Sequence, residues 1–407
     1  MKTTSWLLTG NILRLPGALS QIERTNQARP TTGSPEAHFL TRRIRATLFA
    51  ATVLSLAATP SFAQHLYQQT NLISDVPSLA AVTDANLVNA WGLSRSATSP
   101  WWVADNGTGL STLYSGVGAK LGLVVTVPPG AGQSSPSNPT GTVFNGSADF
   151  QVSPGKPARF LFATEDGTIS GWNPAANATN AITMVDKGGV AVYKGLALGQ
   201  ISGANYLYAA NFHGGTVDVF DKNFAAVNLG AMAFHDPHLP WGYAPFNVQA
   251  IGAFIVVTYA KQDPEKIDEI AGPGRGFVTV FNPDGTLHLR LKWGPWFNAP
   301  WGVALAPADF GRFSNLLLVG QFGSGKIAAF DPVTGKFRGL VRDAWHRPLR
   351  IDGLWALSFG NGAGAGPANS LYFSAGPDDE AHGLLGTITV LPDVAGDDDD
   401  GSDDNDG

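Results

Sequence analysis

The densest group of side chains that could do chemistry lies in residues 234–241, Phe-His-Asp-Pro-His-Leu-Pro-Trp. His235 and His238 flank Asp236 there. Two imidazoles and a carboxylate can hold a metal ion, or one imidazole can act as a general base that the carboxylate orients. Histidines in a Pro-rich loop are also typical of ordinary hydrogen-bonding groups. Both interpretations stay open, and His213 is a third candidate catalytic histidine.

Three other residues, which lie at predicted strand ends, could supply oxygen ligands to a metal. They are Asp105, Glu165 and Asn211. Carboxylate and amide oxygens are the ligands that a divalent cation such as calcium or magnesium prefers. Residues 105–107 and 165–167 are at the same time sequences that favour tight turns. The pattern therefore predicts either one divalent cation or a pair of hairpin turns.

These residues sit in a hairpin unit that recurs along the chain. In residues 206–221 an aromatic and β-branched run ends at Asn211, a Gly-rich turn follows, and a second run alternates polar and apolar residues. Residues 316–331 repeat the pattern without a gap and place Gln321 where the first copy has Asn211. The recurrence indicates a repeat architecture.

Each unit opens with a short strand that is rich in aromatic residues or Gly. The openings are residues 90–93, 142–145, 194–197, 246–248, 300–303 and 353–356. A four-stranded unit of about 50 residues repeated six times is typical of a β-propeller, with a linear solenoid as the alternative. We therefore expect an all-β, six-bladed β-propeller with about four antiparallel strands per blade. Residues 64–74 could add a strand to the last blade and close the ring.

In a propeller, the loops into the inner strand and those after the second strand open on one face around the central channel. The turns of two hairpins are enlarged there, by residues 261–274 and by residues 376–386. Trp91 and Trp301 either pack between blades or form an aromatic platform for a sugar or another flat ligand. The predicted binding face comprises Asn89, Trp91, Tyr259, Lys261, Asn298, Trp301, His346 and Asp352.

Composition excludes several classes of function. The 407 residues include no cysteine, so disulfides, thiolate nucleophiles, iron–sulfur clusters and Cys-ligated zinc are ruled out. The net charge is −6 and the central part of the chain has no basic stripe, so a nucleic-acid partner is not expected. No Gly-x-Ser-x-Gly, phosphate-binding loop or His-Glu-x-x-His motif is present.

Three segments follow from charge and hydropathy. In residues 1–63 an N-terminal extension precedes an export signal, with Arg42 and Arg43, an apolar run over 46–58 and small residues before Gln64. Residues 64–392 form the propeller, and residues 393–407 are an acidic tail that we expect to be disordered. The signal predicts a periplasmic or extracellular protein without a membrane span after cleavage.

The opening Pro-Trp-Gly-Val-Ala at 300–304 and the hairpin at 316–331 resemble the NHL-type repeat. More specifically, Asn-Ala-Trp-Gly-Leu at 89–93 and Asn-Phe-His at 211–213 resemble an uncharacterised family of exported bacterial propellers, some of which carry a PEP-CTERM sorting signal. The resemblance spans about residues 66–392 and implies a six-bladed periplasmic or extracellular protein. A more distant similarity is to regucalcin-type calcium-dependent lactonases and phosphotriesterases. Those place a metal-binding Glu at the first inner strand, where this chain has residues 89–92, Asn-Ala-Trp-Gly.

Two functions are consistent with these patterns. The first is a scaffold that binds a small molecule or a protein on the loop-rich face, around residues 235–241 and 261–274. The alternative is a hydrolase or lyase in which a divalent metal at the channel mouth activates water and a histidine acts as the base.

Overall fold

Short β-rich runs alternate with tight turns throughout residues 66–392, which are the residues that this computed structural model describes. The predictions for residues 1–63 and 393–407 concern segments outside that range. The strands form six blade sheets, five of four antiparallel strands and one of five strands with a single parallel pair, and one small two-stranded sheet. The sheets form a ring, so the all-β, six-bladed β-propeller that the repeat predicts is confirmed.

The first strands are β1 (Tyr67–Ser74) and β2 (Val82–Thr83). Blade 1 contains β3 (Ala90–Ser94), β4 (Trp101–Asp105), β5 (Leu110–Tyr114) and β6 (Lys120–Thr126). Blade 2 contains β7 (Pro139–Phe144), β10 (Phe160–Thr164), β11 (Thr168–Trp172) and β12 (Ile182–Asp186), with the small hairpin β8 (Gln151–Ser153) and β9 (Lys156–Pro157) beside it. Blade 3 contains β13 (Tyr193–Ile201), β14 (Ala204–Asn211), β15 (Thr216–Phe220) and β16 (Ala226–Val227).

Blade 4 contains β17 (Tyr243–Ile251), β18 (Phe254–Lys261), β19 (Phe277–Phe281) and β20 (Leu287–Arg290). Blade 5 contains β21 (Pro300–Leu305), β22 (Leu317–Gln321), β23 (Lys326–Phe330) and β24 (Phe337–Leu340). Blade 6 contains β25 (Leu354–Phe359), β26 (Leu371–Ala375) and β27 (Leu384–Val390). The described residues also include three short 3-10 helices, Gly188–Val190, Gly311–Phe313 and Phe322–Ser324. None of their helices has the length and hydropathy needed to span a membrane.

Blade 6 is completed from the other end of the chain. Strand β1 pairs antiparallel with β27, with Tyr67 opposite Val390 and Ser74 opposite Leu384. Strand β2 then pairs parallel with β1. The prediction that residues 64–74 would close the ring is confirmed by this pairing.

The Gly residues of the opening strands have a packing role. A Cβ atom on Gly92 would lie 2.2 Å from the Thr140 carbonyl oxygen of blade 2, and one on Gly302 would lie 2.4 Å from the Trp355 carbonyl oxygen of blade 6. Gly141 and Gly195 meet the next blade in the same way. Only glycine allows the inner strands to approach each other this closely. The opening pattern therefore reflects the close packing of neighbouring blades.

Aromatic side chains fill the channel that the inner strands enclose. The rings of Trp91 and Trp355 stack with centroids 3.7 Å apart, and Phe322 stacks on the other face of Trp355 at 4.0 Å. Trp301 meets both tryptophans edge-on at 6.4 and 5.9 Å. The three tryptophan rings are buried and Phe322 is partly buried, so the channel beneath the loop-rich face is an apolar core rather than an open pore.

Candidate functional site

A single buried lysine lies at the channel mouth on the loop-rich face. Lys194, on β13, is 1% exposed. Its Nζ atom lies 2.7 Å from Glu165 Oε1 and 3.1 Å from Asp268 Oδ1. Burial alone would lower the pKa of Lys194, but the negative charges of Glu165, Glu269 and Asp268 raise it above the ordinary value. The ammonium group is therefore charged over the whole physiological range.

Aromatic faces surround the same ammonium group on its inner side. The Lys194 Nζ atom lies 5.2 Å from the ring centroid of Trp91, 5.6 Å from that of Phe212 and 5.9 Å from that of Phe246. Such cation–π contacts partly replace the water that the buried charge has lost. Trp301 adds a hydrogen bond from its Nε1 atom to the carbonyl oxygen of Lys194, at 2.9 Å.

Each of the two enlarged turns places a glutamate close enough to Lys194 to interact with its charge. Glu269 lies in the insert of residues 261–274 between β18 and β19, and burial raises its pKa to about 8 although Lys194 acts in the opposite direction. Glu380 lies in the turn between β26 and β27, and burial together with the charge of Glu165 raises its pKa. At neutral pH, Glu269 therefore carries a proton in most molecules.

Amide side chains connect these carboxylates. Asn89 accepts a hydrogen bond from Trp355 Nε1 at 2.9 Å and donates to Glu380 Oε2 at 2.6 Å and to Asn106 Oδ1 at 3.2 Å. Asn106 in turn donates to Glu165 Oε2 at 3.0 Å. We call the whole group the channel-mouth cluster; its members are Asn89, Asn106, Glu165, Lys194, Asp268, Glu269 and Glu380.

Each of the three residues proposed from the sequence as metal ligands has its own surroundings in the fold. Within residues 66–392, no group of three or more His, Asp or Glu side chains is arranged to hold a metal ion. Glu165 belongs to the channel-mouth cluster and is bonded to Lys194. Asp105 is completely buried, and burial together with the charge of Asp84 raises its pKa well above the ordinary range. Asn211 accepts a hydrogen bond from the Gly214 backbone at 2.9 Å and thus shapes its own hairpin turn.

Replacing Asp105 with asparagine tests its position. Because burial raises the pKa of Asp105 and so favours the protonated carboxyl group, we expect Asp105→Asn to change the free energy of unfolding at pH 7 by less than about 1 kcal/mol. Urea denaturation measures this change. A loss above about 2 kcal/mol, or a calcium affinity that disappears with the substitution, would show that Asp105 is ionised and bonded to a cation.

A second polar site lies next to the channel-mouth cluster, between blades 3 and 4. Residues 234–243, which link the two blades, and the insert of residues 261–274 enclose a cleft of about 590 Å³. Trp241 lines the cleft and is 94% exposed. Lys261 also lines it, with its Nζ atom 5.7 Å from the ring centroid of Tyr243. We call this site the blade 3–4 cleft.

Tyr259 forms part of the cleft wall from β18. Its side chain is 2% exposed, and its hydroxyl group has no hydrogen-bond partner within residues 66–392. Burial, and the nearby charge of Asp236, raise the pKa of Tyr259, so the hydroxyl keeps its proton. A neutral buried donor of this kind is rare without a partner.

The predicted catalytic histidines do not share a carboxylate. His235 is exposed and lines the blade 3–4 cleft, and His238 is exposed. Asp236 is buried and its Oδ2 atom faces Thr279 Oγ1 at 2.7 Å and Arg290 Nε at 2.9 Å. Its other oxygen accepts the His238 backbone N–H at 2.9 Å. Asp236 therefore stabilises its loop and orients neither imidazole. His213 is half-buried in the turn that follows Asn211.

The remaining members of the predicted binding face have structural contacts. Asn298 accepts a hydrogen bond from the Gly272 backbone and so attaches the insert of residues 261–274 to blade 5. Asp352 accepts the Asp378 backbone N–H at 3.0 Å. His346 is exposed in the turn that follows β24 and contributes to neither the channel-mouth cluster nor the lining of the blade 3–4 cleft.

Sequence reasoning missed Asp268, Glu269 and Glu380 as site residues. All three lie in the two enlarged turns, where the hairpin pattern is interrupted. The signal that could have found them is the insertion itself. These two turns are longer than the turns of the other hairpins and contain acidic residues. Their convergence on Lys194 depends on the ring and has no local signature.

The chain is similar in sequence to mimivirus proteins. The chain is 34% identical over 334 residues to "Uncharacterized protein L690" of Acanthamoeba polyphaga mimivirus, which covers 78% of this chain and 84% of the relative. It is 32% identical over 328 residues to "Uncharacterized protein R648" of the same virus, which covers 78% of each. No family model matches the sequence.

Among solved structures, an auxiliary nutrient binding protein from Bacteroides ovatus ATCC 8483 superposes with a TM-score of 0.52 at 10% identity, covering 81% of this chain and 78% of that chain. This similarity supports the fold alone. The bacterial origin stays a prediction, because the relatives found are mimivirus proteins. The chain belongs to the same family as the uncharacterised mimivirus protein L690.

Proposed function

We propose that the protein is an exported binding protein that holds a small organic molecule in the blade 3–4 cleft. The observation that carries this proposal is the meeting of residues 234–243 with the insert of residues 261–274 around a cleft of about 590 Å³. Binding sites for small molecules span roughly 300–1,000 Å³ and combine apolar walls with a few polar groups. The export signal expected in residues 42–63 supports a location outside the cytoplasm.

Trp241 is the main apolar contact for such a ligand. A tryptophan that is 94% exposed gains no stability from burial in the fold, although Trp is among the residues that bury the most apolar area. A flat ligand stacked on the indole would cover this surface. Tyr243 and Leu239 extend the apolar wall on the same side of the cleft.

Tyr259 supplies a hydrogen-bond donor at the cleft wall. Leaving a buried donor unpaired costs about 1–3 kcal/mol. The hydroxyl has almost no accessible surface, so a ligand oxygen would reach it only after the atoms that cover it move, and would then recover this cost. A purely structural tyrosine would normally be paired within the fold. The unpaired hydroxyl and the exposed indole therefore favour a ligand that has both a flat face and polar groups.

Thermal-shift measurements on the purified protein test the proposal. A panel of mono- and oligosaccharides, nucleosides and aromatic carboxylates is to be compared with Trp241→Ala. We expect at least one class to raise the Tm of the native chain and Trp241→Ala to weaken its affinity at least about tenfold, because stacking energy is lost. The matched control is Trp345→Ala, since Trp345 is also exposed, at 72%, but lines a different part of the surface.

The control variant should respond to the ligand as the native chain does. If no class in the panel stabilises the native chain in a Trp241-dependent manner, the proposal is wrong. A ligand whose affinity is equally reduced by Trp345→Ala would also contradict it, because that residue does not line the blade 3–4 cleft.

A further inference from the structure

The blade 3–4 cleft carries positive charge that the protein does not neutralise. Lys261 and Lys266 both line the cleft. Within residues 66–392, neither lysine has a carboxylate at ion-pair distance. Two ammonium groups on one wall of a concave site concentrate anions there.

Lys261 lies beside the exposed tryptophan. A Cβ atom on Gly242, the residue that follows Trp241, would lie 3.8 Å from Lys261 Nζ. The ammonium group is thus next to the backbone that carries the indole ring. Because Trp241 and Lys261 line the same cleft, a ligand held there can contact the aromatic face and the positive charge.

Neither aspartate that lines the cleft lies at ion-pair distance from Lys261 or Lys266. Asp236 faces Arg290 and Thr279, so its charge is compensated. One oxygen of Asp263 accepts the Ile267 backbone N–H at 2.8 Å. Asp263 and the exposed Glu265 keep negative charge in the same insert, but neither is paired with a cleft lysine, so both ammonium groups are available to an anion.

We propose that the cleft binds an anionic carbohydrate, a sugar ring that bears a carboxylate; this inference rests on the proposed function. The ring would stack on Trp241, and its carboxylate would pair with Lys261 or Lys266. Its hydroxyl groups would hydrogen-bond with His235, which is exposed at the wall. An aromatic carboxylate would use the indole and the lysines but has no hydroxyl groups for the polar side chains of the wall.

Isothermal titration calorimetry on the full chain tests this ligand class with two probes of similar size, tri-galacturonic acid and the neutral glucose trimer cellotriose. We expect the acidic trimer to bind at least about tenfold more tightly, and the advantage to shrink between 20 and 200 mM salt, because screening weakens exposed charge pairs. The double variant Lys261→Gln/Lys266→Gln should lose about tenfold in affinity for the acidic trimer and little for the neutral one.

The matched control is Lys292→Gln/Lys336→Gln, which removes two exposed lysines that do not line the cleft. It should leave both affinities within about twofold. Equal affinity for the two trimers, or loss of acidic-trimer binding in the control as well, overturns the inference while a Trp241-dependent ligand keeps the proposed function. If neither trimer binds but another ligand of the panel does, the inference fails and the function stands. If no ligand of any class depends on Trp241, both fail.

Discussion

Replacing Lys194 with methionine is expected to destabilise the folded protein by about 3–5 kcal/mol. The substitution keeps an unbranched side chain in the buried position but leaves Glu165 and Asp268 without the cation that faces them. Removing one partner of a buried ion pair is costly because the other charge stays in a poorly solvated place. Most of the effect should come from Glu165, since Asp268 is 68% exposed and water can replace its partner. Urea denaturation at pH 7 measures the loss.

Two further variants separate charge from packing at this position. Lys187→Met removes an exposed lysine at the start of a 3-10 turn and should change stability by less than about 0.5 kcal/mol. Adding Glu165→Gln to Lys194→Met should restore part of the lost stability, because the unpaired buried charge is removed. A loss below about 1 kcal/mol for Lys194→Met would mean that the channel-mouth cluster is not held together by this ammonium group.

A second large effect is expected from pH, through Glu269. Burial raises the pKa of Glu269 in the folded chain to about 8, above its ordinary value of 4.5. A carboxyl group with a raised pKa contributes its full stability below the unfolded value, and this contribution is lost as the pH rises towards the folded value. The native chain should therefore lose stability between about pH 4.5 and pH 8. Glu269→Gln, which cannot ionise, should avoid this loss.

The measurement is the difference in unfolding free energy between Glu269→Gln and the native chain as a function of pH. We expect this difference to shift in favour of the variant by on the order of 2–4 kcal/mol from pH 5 to pH 8.5, after a discount for partial exposure. Glu265→Gln, at an exposed position of the same insert, is the matched control. A difference that stays constant over this range would show that Glu269 is ionised throughout, and the channel-mouth cluster would then hold no protonated Glu269.

The fold was predictable because its causes repeat. Each opening strand needs a residue without a side chain where the next blade approaches. A Cβ atom on Gly92 or Gly302 would lie less than 3 Å from backbone atoms of the next blade. The hairpins repeat for a similar reason, since every blade must bury the same face. Closure by β1 was predictable from the strand-like residues that precede the first unit.

The site was only partly predictable. Asn89 was found because it lies in the loop that leads into an inner strand, and Glu165 because it follows the second strand of its blade; both belong to the channel-mouth cluster. Asn211 satisfies the same rule but is used by its own turn. Glu269 and Glu380 come from irregular turns whose positions depend on contacts with other blades. No local pattern in a single sequence contains that information.

The pairing of β1 with β27 has a consequence for biogenesis. These two strands are separated by nearly all of the described chain, so the ring stays open until the last blade has been synthesised. Until β27 has been made, β1 has no antiparallel partner, and its unpaired backbone groups could associate with other chains. A chain exported before folding would meet this stage outside the cytoplasm. The closing step would there be the slow, aggregation-prone part of maturation, and a chain without β1 could not complete it.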